Sequence, residues 1–187
     1  MPIFLNDKIF EDKKQYGIFP KKDVDAFLLG AILNSTLTRL FIEFTSRQLT
    51  GAQAIADIDV VVVSSTLVLN LHDKSIVTPK QRKQLKKAFE KLLLTTSDSV
   101  FREIAPSSNE VLFDNVKKER LELDKIILQD ILGLPETEHL EIYRAVVDFV
   151  QARLDKSKSV KKRSKKKGGS VADAMTGNLY DEVINGD

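Results

Sequence analysis

The pattern of apolar and polar residues predicts a chain dominated by helices, with a few short strands. Apolar residues recur at intervals of three and four over residues 23–46, which is typical of a long helix buried on a wide face. Four consecutive valines within 58–63 favour a strand that is covered on both sides. Two further short strands are expected near the N-terminus, at about 2–5 and 15–19, where turn residues separate apolar ones. We therefore expect an α+β fold that is mainly α-helical.

Helix-capping residues predict three more helices in the second half of the chain. Thr78 precedes Pro79, a sequence that favours a helix start and a helix over about 79–94. A helix over about 110–132 ends at Gly133, where a left-handed cap is expected. Pro135 suits the first turn of a final helix. Its apolar residues are spaced as in a packed seam, at Leu140, Tyr143, Val147, Val150 and Leu154. The short connection between the last two helices predicts an antiparallel hairpin.

The charges are unevenly divided along the chain. The whole sequence holds 29 Lys and Arg against 27 Asp and Glu. Residues 156–187 contain 8 basic and 4 acidic side chains, and all 8 basic ones fall within 156–167. A segment of this composition buries little apolar surface, so we expect 156–187 to be a flexible basic tail that is disordered at 156–167.

Composition excludes several classes of function. The chain has no Cys, which rules out disulfides, Cys-bound zinc and thiol nucleophiles. Its eight glycines form no phosphate-binding pattern, so nucleotide and dinucleotide cofactors are not expected. No apolar run approaches the roughly 18 residues of a membrane helix, and no signal sequence is recognisable. We expect a cytoplasmic protein that has no membrane partner.

Few residues are candidates for metal or acid–base chemistry. Carboxylates in 11–14 and at Asp57 and Asp59 suit a small metal-dependent nuclease, although turn and strand-edge positions explain them more simply. His72 beside Asp73 is a candidate general base or, more commonly, a surface residue. The second histidine, His139, lies among three glutamates that are expected to keep it charged. No catalytic residue and no metal ligand is therefore assigned.

The helix over 79–94 is basic and amphipathic. A single Glu90 accompanies six basic residues, which are Lys80, Arg82, Lys83, Lys86, Lys87 and Lys91. Such a face is suited to neutralising phosphates. A solvated face with lysine stems lying over apolar surface is the ordinary alternative.

Three stretches together resemble the C-terminal target-recognition and helical region of N6-adenine DNA methyltransferases and type IIG restriction–modification enzymes. Residues 27–37, FLLGAILNSTL, resemble the Leu-Asn-Ser helix of that family, and 46–52, SRQLTGA, resemble the loop that follows it. The third stretch resembles the family's C-terminal hairpin and comprises RLELD at 120–124, LGL at 132–134, YRAVV at 143–147 and Arg153. The chain departs from the family at Gln53, where a second glycine is common, and it lacks the proline expected after 60–63. It also lacks the cofactor-binding glycine motif and the Pro-Pro loop of the catalytic domain.

The resemblance implies a non-catalytic part of a larger DNA-binding system. It divides the chain into the end of a target-recognition-like region at 1–75, a helical spacer at 76–155 and the basic tail at 156–187. The implied partners are double-stranded DNA and a methyltransferase catalytic domain or subunit, and the chain itself needs no cofactor. The implied DNA-contacting residues are Arg47, Gln48, Thr50 and Gln53 in the loop and Lys80, Arg82, Lys83, Lys86 and Lys87 in the helix. We expect the loop and the helix to form one positive face. The alternatives are a helical module that docks a catalytic subunit through 112–154, or the small nuclease mentioned above.

Overall fold

A computed structural model describes residues 17–48, 56–70, 73–96 and 98–166. For 47–48, 56–57 and 161–166 it describes the backbone alone. The described residues are mostly helical. The helices are α1 (Ala26–Leu33), α2 (Thr36–Thr45), α3 (Val60–Ser65), α4 (Pro79–Leu93), α5 (Val100–Glu103), α6 (Lys118–Lys125) and α7 (Glu136–Lys166). Single 3₁₀ turns at Ser108–Glu110 and Phe113–Asn115 precede α6, and a π-helical turn at Ile126–Ile131 follows it.

The expected α+β class is wrong for the described part of the chain. Its one strand pairing joins β1 (Arg47–Gln48) to β2 (Ala56–Asp57), an antiparallel pair only two residues long in which Arg47 lies opposite Asp57. Of the two N-terminal strands, the one at 2–5 lies outside the described residues. Residues 17–19 of the other have no regular structure and are exposed.

The strand predicted at 58–63 is also wrong, because this segment forms the short helix α3. Asp59 caps the helix, and its side chain accepts a hydrogen bond from the Val62 amide at 2.9 Å. A strand buried on both faces would hide all four valines, but Val60 and Val61 are 63% and 70% exposed. The local cap therefore outweighs the preference of β-branched residues for strands.

The single long helix predicted over 23–46 is instead two helices. The α1 helix ends at Asn34, whose side-chain amide donates to the Gly30 carbonyl at 2.9 Å. The α2 helix begins after Ser35, whose hydroxyl accepts from the Thr38 amide at 3.2 Å. The two helix axes meet at 62°. Adjacent cap residues thus interrupt an apolar pattern that continues through the bend.

One hydrophobic core joins α1, α4, α6 and the π-helical turn that follows α6. Phe27 of α1 meets Phe89 of α4 edge to face, with ring centroids 5.0 Å apart. The buried members of this core are Leu28, Ala31, Ile32, Val77, Leu85, Ala88, Phe89, Leu123, Ile126 and Ile127. The α4 helix therefore has one face fixed in the interior and one face in solvent.

The helix predicted over about 110–132 begins later than predicted, at Lys118 in α6. Residues 110–117 form 3₁₀ turns and extended backbone, because Val111 and Val116 are buried there and the Lys117 amide donates to the Glu103 carbonyl at 2.8 Å. The end of this helical segment agrees with the prediction, since Gly133 has a φ of 69° and closes it with a left-handed residue.

The predicted antiparallel hairpin is supported by two side-chain contacts. Gln129 contacts His139, and the earlier residue Asp124 contacts the later residue Tyr143, as two antiparallel helices require.

The final helix α7 extends to Lys166. The expectation of disorder at 156–167 is therefore wrong for 156–166, and the rest of the tail lies outside the described residues. Lengthening an existing helix by one residue is far easier than nucleating a new one, and Lys and Arg are good helix formers. A basic segment can thus continue a helix that the amphipathic part of α7 has already started.

The described residues fall into two compact units. One contains 17–46 and the described part of 58–150, and the second contains 47–48, 56–57 and 151–166. Within the described residues, no single helix is long and apolar enough to cross a membrane. The α1 and α2 helices meet that test of length and composition only as a bent pair.

Candidate nucleic-acid interface

The start of α4 is built by a reciprocal capping box. The Thr78 hydroxyl accepts from the Gln81 amide at 3.3 Å, and the Gln81 side chain accepts from the Thr78 amide at 2.9 Å. The Gln81 side-chain amide also donates to the Asp130 carbonyl at 2.7 Å, which ties α4 to the π-helical turn. Pro79 at the first helical position fits the prediction from sequence. The helix that carries the basic residues is thus rigidly placed.

The five basic residues of α4 that are predicted to contact DNA differ in their contacts within the protein. Lys80, Lys83 and Lys87 are exposed, and among the residues that the structure describes no carboxylate lies within ion-pair distance of them. Lys80 and Lys87 are separated by seven residues, which corresponds to about 10 Å along a helix axis. Duplex DNA presents one phosphate per strand about every 3.4 Å, so a face of this length spans about three phosphates.

The other two predicted residues of α4 are engaged by the protein itself. The Arg82 Nε donates to the Val77 carbonyl at 3.1 Å, and one of its terminal nitrogens is buried. Lys86 pairs with Asp25 at 2.5 Å. Burial opposes ionisation of Asp25, but Lys86 and the α1 amides of Leu28 and Phe27 outweigh it and lower the pKa of this carboxyl. Arg82 and Lys86 therefore help to anchor α4, and their contact with DNA stays a prediction.

An open groove of about 370 Å³ lies beside the exposed face, between α4 and α6. It is lined by Gln84, Lys87, Glu122, Lys125 and Ile126. The one acidic group in this lining, Glu122, is bound by Lys91 with both oxygens at 2.6 and 2.7 Å. The groove is therefore lined by two basic residues, Lys87 and Lys125, and by one carboxylate that is paired with Lys91. Lys125 also lies 5.2 Å from the centre of the Phe113 ring. Lys125 was not among the residues predicted from sequence, because no local pattern places it beside α4.

A buried polar network fixes the bend between α1 and α2. The Asp124 carboxylate accepts from the Thr36 amide at 2.9 Å and from the Thr36 hydroxyl at 2.6 Å, which caps the start of α2. The Tyr143 hydroxyl donates to the same carboxylate at 3.1 Å. Arg120, only 2% exposed, donates to the Asn34 carbonyl and pairs with Glu103 at 3.2 Å. Segments that lie 86 and 88 residues apart in sequence are thus held together by one set of hydrogen bonds.

Burial dominates the electrostatics of this network. It raises the pKa of Asp124, although Arg120, Thr36 and Tyr143 oppose the shift. Burial and the neighbouring Asp124 charge raise the pKa of the Tyr143 hydroxyl, which stays protonated and acts as a donor. The network is closed to solvent, so its role is to hold the helices in position.

The prediction for His139 is wrong. This side chain is fully buried between Phe113 and Tyr143, with ring centroids 5.1 and 4.6 Å away. Its Nδ1 lies 3.0 Å from the side-chain amide nitrogen of Gln129. Burial, assisted by the charge of Lys125 and opposed by that of Glu136, lowers the pKa of His139 to about 4. The histidine is therefore neutral at pH 7.

The remaining candidates are only partly described. Arg47 and Gln48 form β1, but their side chains lie outside the description, as do Thr50, Gln53, His72 and residues 11–14. The joint positive face of loop and helix stays a prediction. Asp59 serves as the cap of α3. Within the described residues, no three His, Asp or Glu side chains are grouped as a metal site would require.

Comparison with protein-family models, characterised proteins and solved structures finds no match for the chain.

Proposed function

We propose that this chain is a non-catalytic DNA-recognition and helical spacer region of a restriction–modification or adenine DNA methyltransferase system. The observation that carries the proposal is the α4 face, where Lys80, Lys83 and Lys87 are exposed on a helix whose opposite face is fixed in the core. Ammonium groups on a rigid scaffold bind a polyanion with little loss of backbone entropy. The groove beside this face adds Lys125.

The resemblance to adenine methyltransferases gives the second line of support. Two of its stretches, the Leu-Asn-Ser helix and the C-terminal hairpin, meet in the buried network through Asn34, Thr36, Arg120, Asp124 and Tyr143. If the chain shared the fold of that family, the residues that resemble it would be expected to contact one another, as these do. These contacts between the two stretches support the proposal.

The division of labour follows from the resemblance. A catalytic domain or subunit would carry out methyl transfer, while this chain would hold the duplex and need no cofactor. We propose that four residues contact bases or phosphates, since Arg and Gln side chains bond to base edges. They are Arg47 and Gln48 in β1, and Thr50 and Gln53 after it in the sequence. Duplex DNA in the cytoplasm is the proposed binding partner.

Fluorescence anisotropy with a labelled 20-base-pair duplex tests the proposal. Replacing Lys80, Lys83 and Lys87 by Ala should weaken binding to all duplexes alike and lower the slope of log K against log salt by about 2.7, at 0.9 per lost phosphate contact. The matched control replaces three exposed lysines elsewhere, Lys21, Lys22 and Lys118, and removes the same charge. It should keep most of the affinity and most of the slope.

Equal losses in both variants would mean that net charge alone causes binding, and the α4 face would be rejected. No binding by the wild-type chain, combined with tight association with a methyltransferase catalytic subunit, would favour the alternative of a helical docking module built on the 112–154 hairpin.

A further inference from the structure

The C-terminal extension of α7, residues 156–166, is a helix with a single sign of charge. It contains seven basic residues and no acid, the basic ones being Lys156, Lys158, Lys161, Lys162, Arg163, Lys165 and Lys166. The last acidic residue before it is Asp155, which lies 3.7 Å from Lys158 in an exposed pair. Lys156 and Lys158 are themselves exposed. No carboxylate of the segment itself is available to balance the other charges.

Repulsion between its like charges would make this helix unstable in isolation. Three pairs of lysines are spaced four residues apart, at 158 and 162, 161 and 165, and 162 and 166. Like charges at this spacing destabilise an isolated helix, and they do so more at low salt. The segment buries almost no apolar surface that could compensate, because Val160 is its only apolar residue. A bound polyanion would screen the repulsion between the lysines and attract their positive charges.

We propose that the α7 extension binds the phosphate backbone of a nucleic-acid duplex without sequence preference. The inference stands independently of the α4 face and adds a second contact. An anionic membrane is disfavoured, because interfacial helices need a broad apolar face to enter the bilayer and this segment has one valine. A single strand is disfavoured as well, since no aromatic residue is present on which unpaired bases could stack.

The length of the extension suits a duplex. Eleven helical residues span about 16 Å, which corresponds to about five phosphates on each strand of a duplex. Lysine predominates over arginine, and lysine acts as a point charge, whereas arginine forms a directional fork. Such a helix would supply affinity and leave sequence discrimination to other residues.

The test compares the full chain with an Ala variant of the extension. In this variant four residues are changed to Ala, namely Lys161, Lys162, Lys165 and Lys166. Alanine is the best helix former, so the helix should persist, and circular dichroism at 222 nm checks this. The control replaces four exposed lysines outside the segment, Lys21, Lys22, Lys74 and Lys118. A second variant changes the same four extension lysines to Arg and keeps the charge. The probes are a random 20-base-pair DNA duplex, an RNA duplex of equal length, single-stranded DNA, and phosphatidylserine–phosphatidylcholine vesicles.

We expect the extension Ala variant to lower the salt slope for both duplexes by up to about 3.6 and to weaken binding at least tenfold at about 0.1 M salt. The Arg variant should bind like wild type, and the control should change the slope by less than about one unit. If the RNA duplex alone shows this behaviour, the phosphate contact stands and the proposed DNA function fails. An unchanged slope in the Ala variant, or a loss confined to vesicles or single strands, would overturn the inference.

Discussion

Among single side chains, Asp124 should be the one whose substitution lowers the free energy of unfolding most. It accepts three hydrogen bonds, from the Thr36 amide, the Thr36 hydroxyl and the Tyr143 hydroxyl. All of the groups involved are buried. Replacing Asp124 by Ala leaves three donors without an acceptor and removes a carboxyl group whose charge interacts with that of Arg120.

The magnitude follows from these contacts. Each of the three buried donors left without a partner costs about 1–3 kcal/mol. Because neighbouring effects overlap, we expect Asp124→Ala to lower the free energy of unfolding by about 4 kcal/mol. Tyr143→Phe removes one donor and leaves two hydrogen bonds to Asp124, so it should cost only about 1 kcal/mol. In the Asp124→Ala background, Tyr143→Phe should cost nothing, because the hydroxyl no longer has an acceptor.

Urea unfolding followed by circular dichroism measures these values, since the chain has no Trp for fluorescence. The control is Lys118→Ala on the exposed side of α6, which should stay within about 0.5 kcal/mol of wild type. Additive losses in the double variant, within about 0.5 kcal/mol, would refute the proposed coupling between Asp124 and Tyr143. A loss below about 1 kcal/mol for Asp124→Ala would refute the central role of the carboxylate.

Three smaller predictions concern single residues. His139 has a folded-state pKa of about 4, below the ordinary histidine value of 6.5, so the neutral form stabilises the fold above pH 6.5. About 3 kcal/mol of that stability should be lost as the pH falls from 6.5 to 4, and urea unfolding of His139→Gln should show a weaker pH dependence over that range. Thr78→Ala removes one half of the capping box and should cost about 1 kcal/mol in the same assay, whereas Ser75→Ala outside the helix should cost less. Gly133→Ala places a side chain at a φ of 69° with no atom within 4 Å of the new Cβ, so a loss of about 1 kcal/mol in thermal unfolding would reflect backbone conformation alone.

Local signals predicted some elements of the fold well. Thr78 and Pro79 marked the start of α4, and Gly133 marked the end of the preceding segment, because these residues act through their own backbone. The apolar spacing at Tyr143, Val147 and Val150 also matched buried positions in α7. These features depend on neighbours within a few residues, and sequence displays them directly.

Other features depend on contacts that sequence does not display. The valine run favoured a strand, but Asp59 caps a helix there, and Val60 is exposed on it. The pairing of Lys86 with Asp25 and the burial of His139, which was predicted to be charged, both depend on residues distant in sequence. The partners of Arg120 and Asp124 lie up to 88 residues away in sequence, so the network could not be predicted from local pattern.

The most direct test of the central claim is a salt titration of duplex binding by the unaltered chain. The DNA-contact account predicts a linear fall of log K with log salt and a slope of at least about 2.7 in magnitude, because three α4 lysines each release about 0.9 counterion. The affinity should be similar for unrelated duplexes, apart from any preference contributed by Arg47 and its neighbours. A slope near zero, or no measurable binding at about 50 mM salt, where electrostatic binding is strong, would contradict the account.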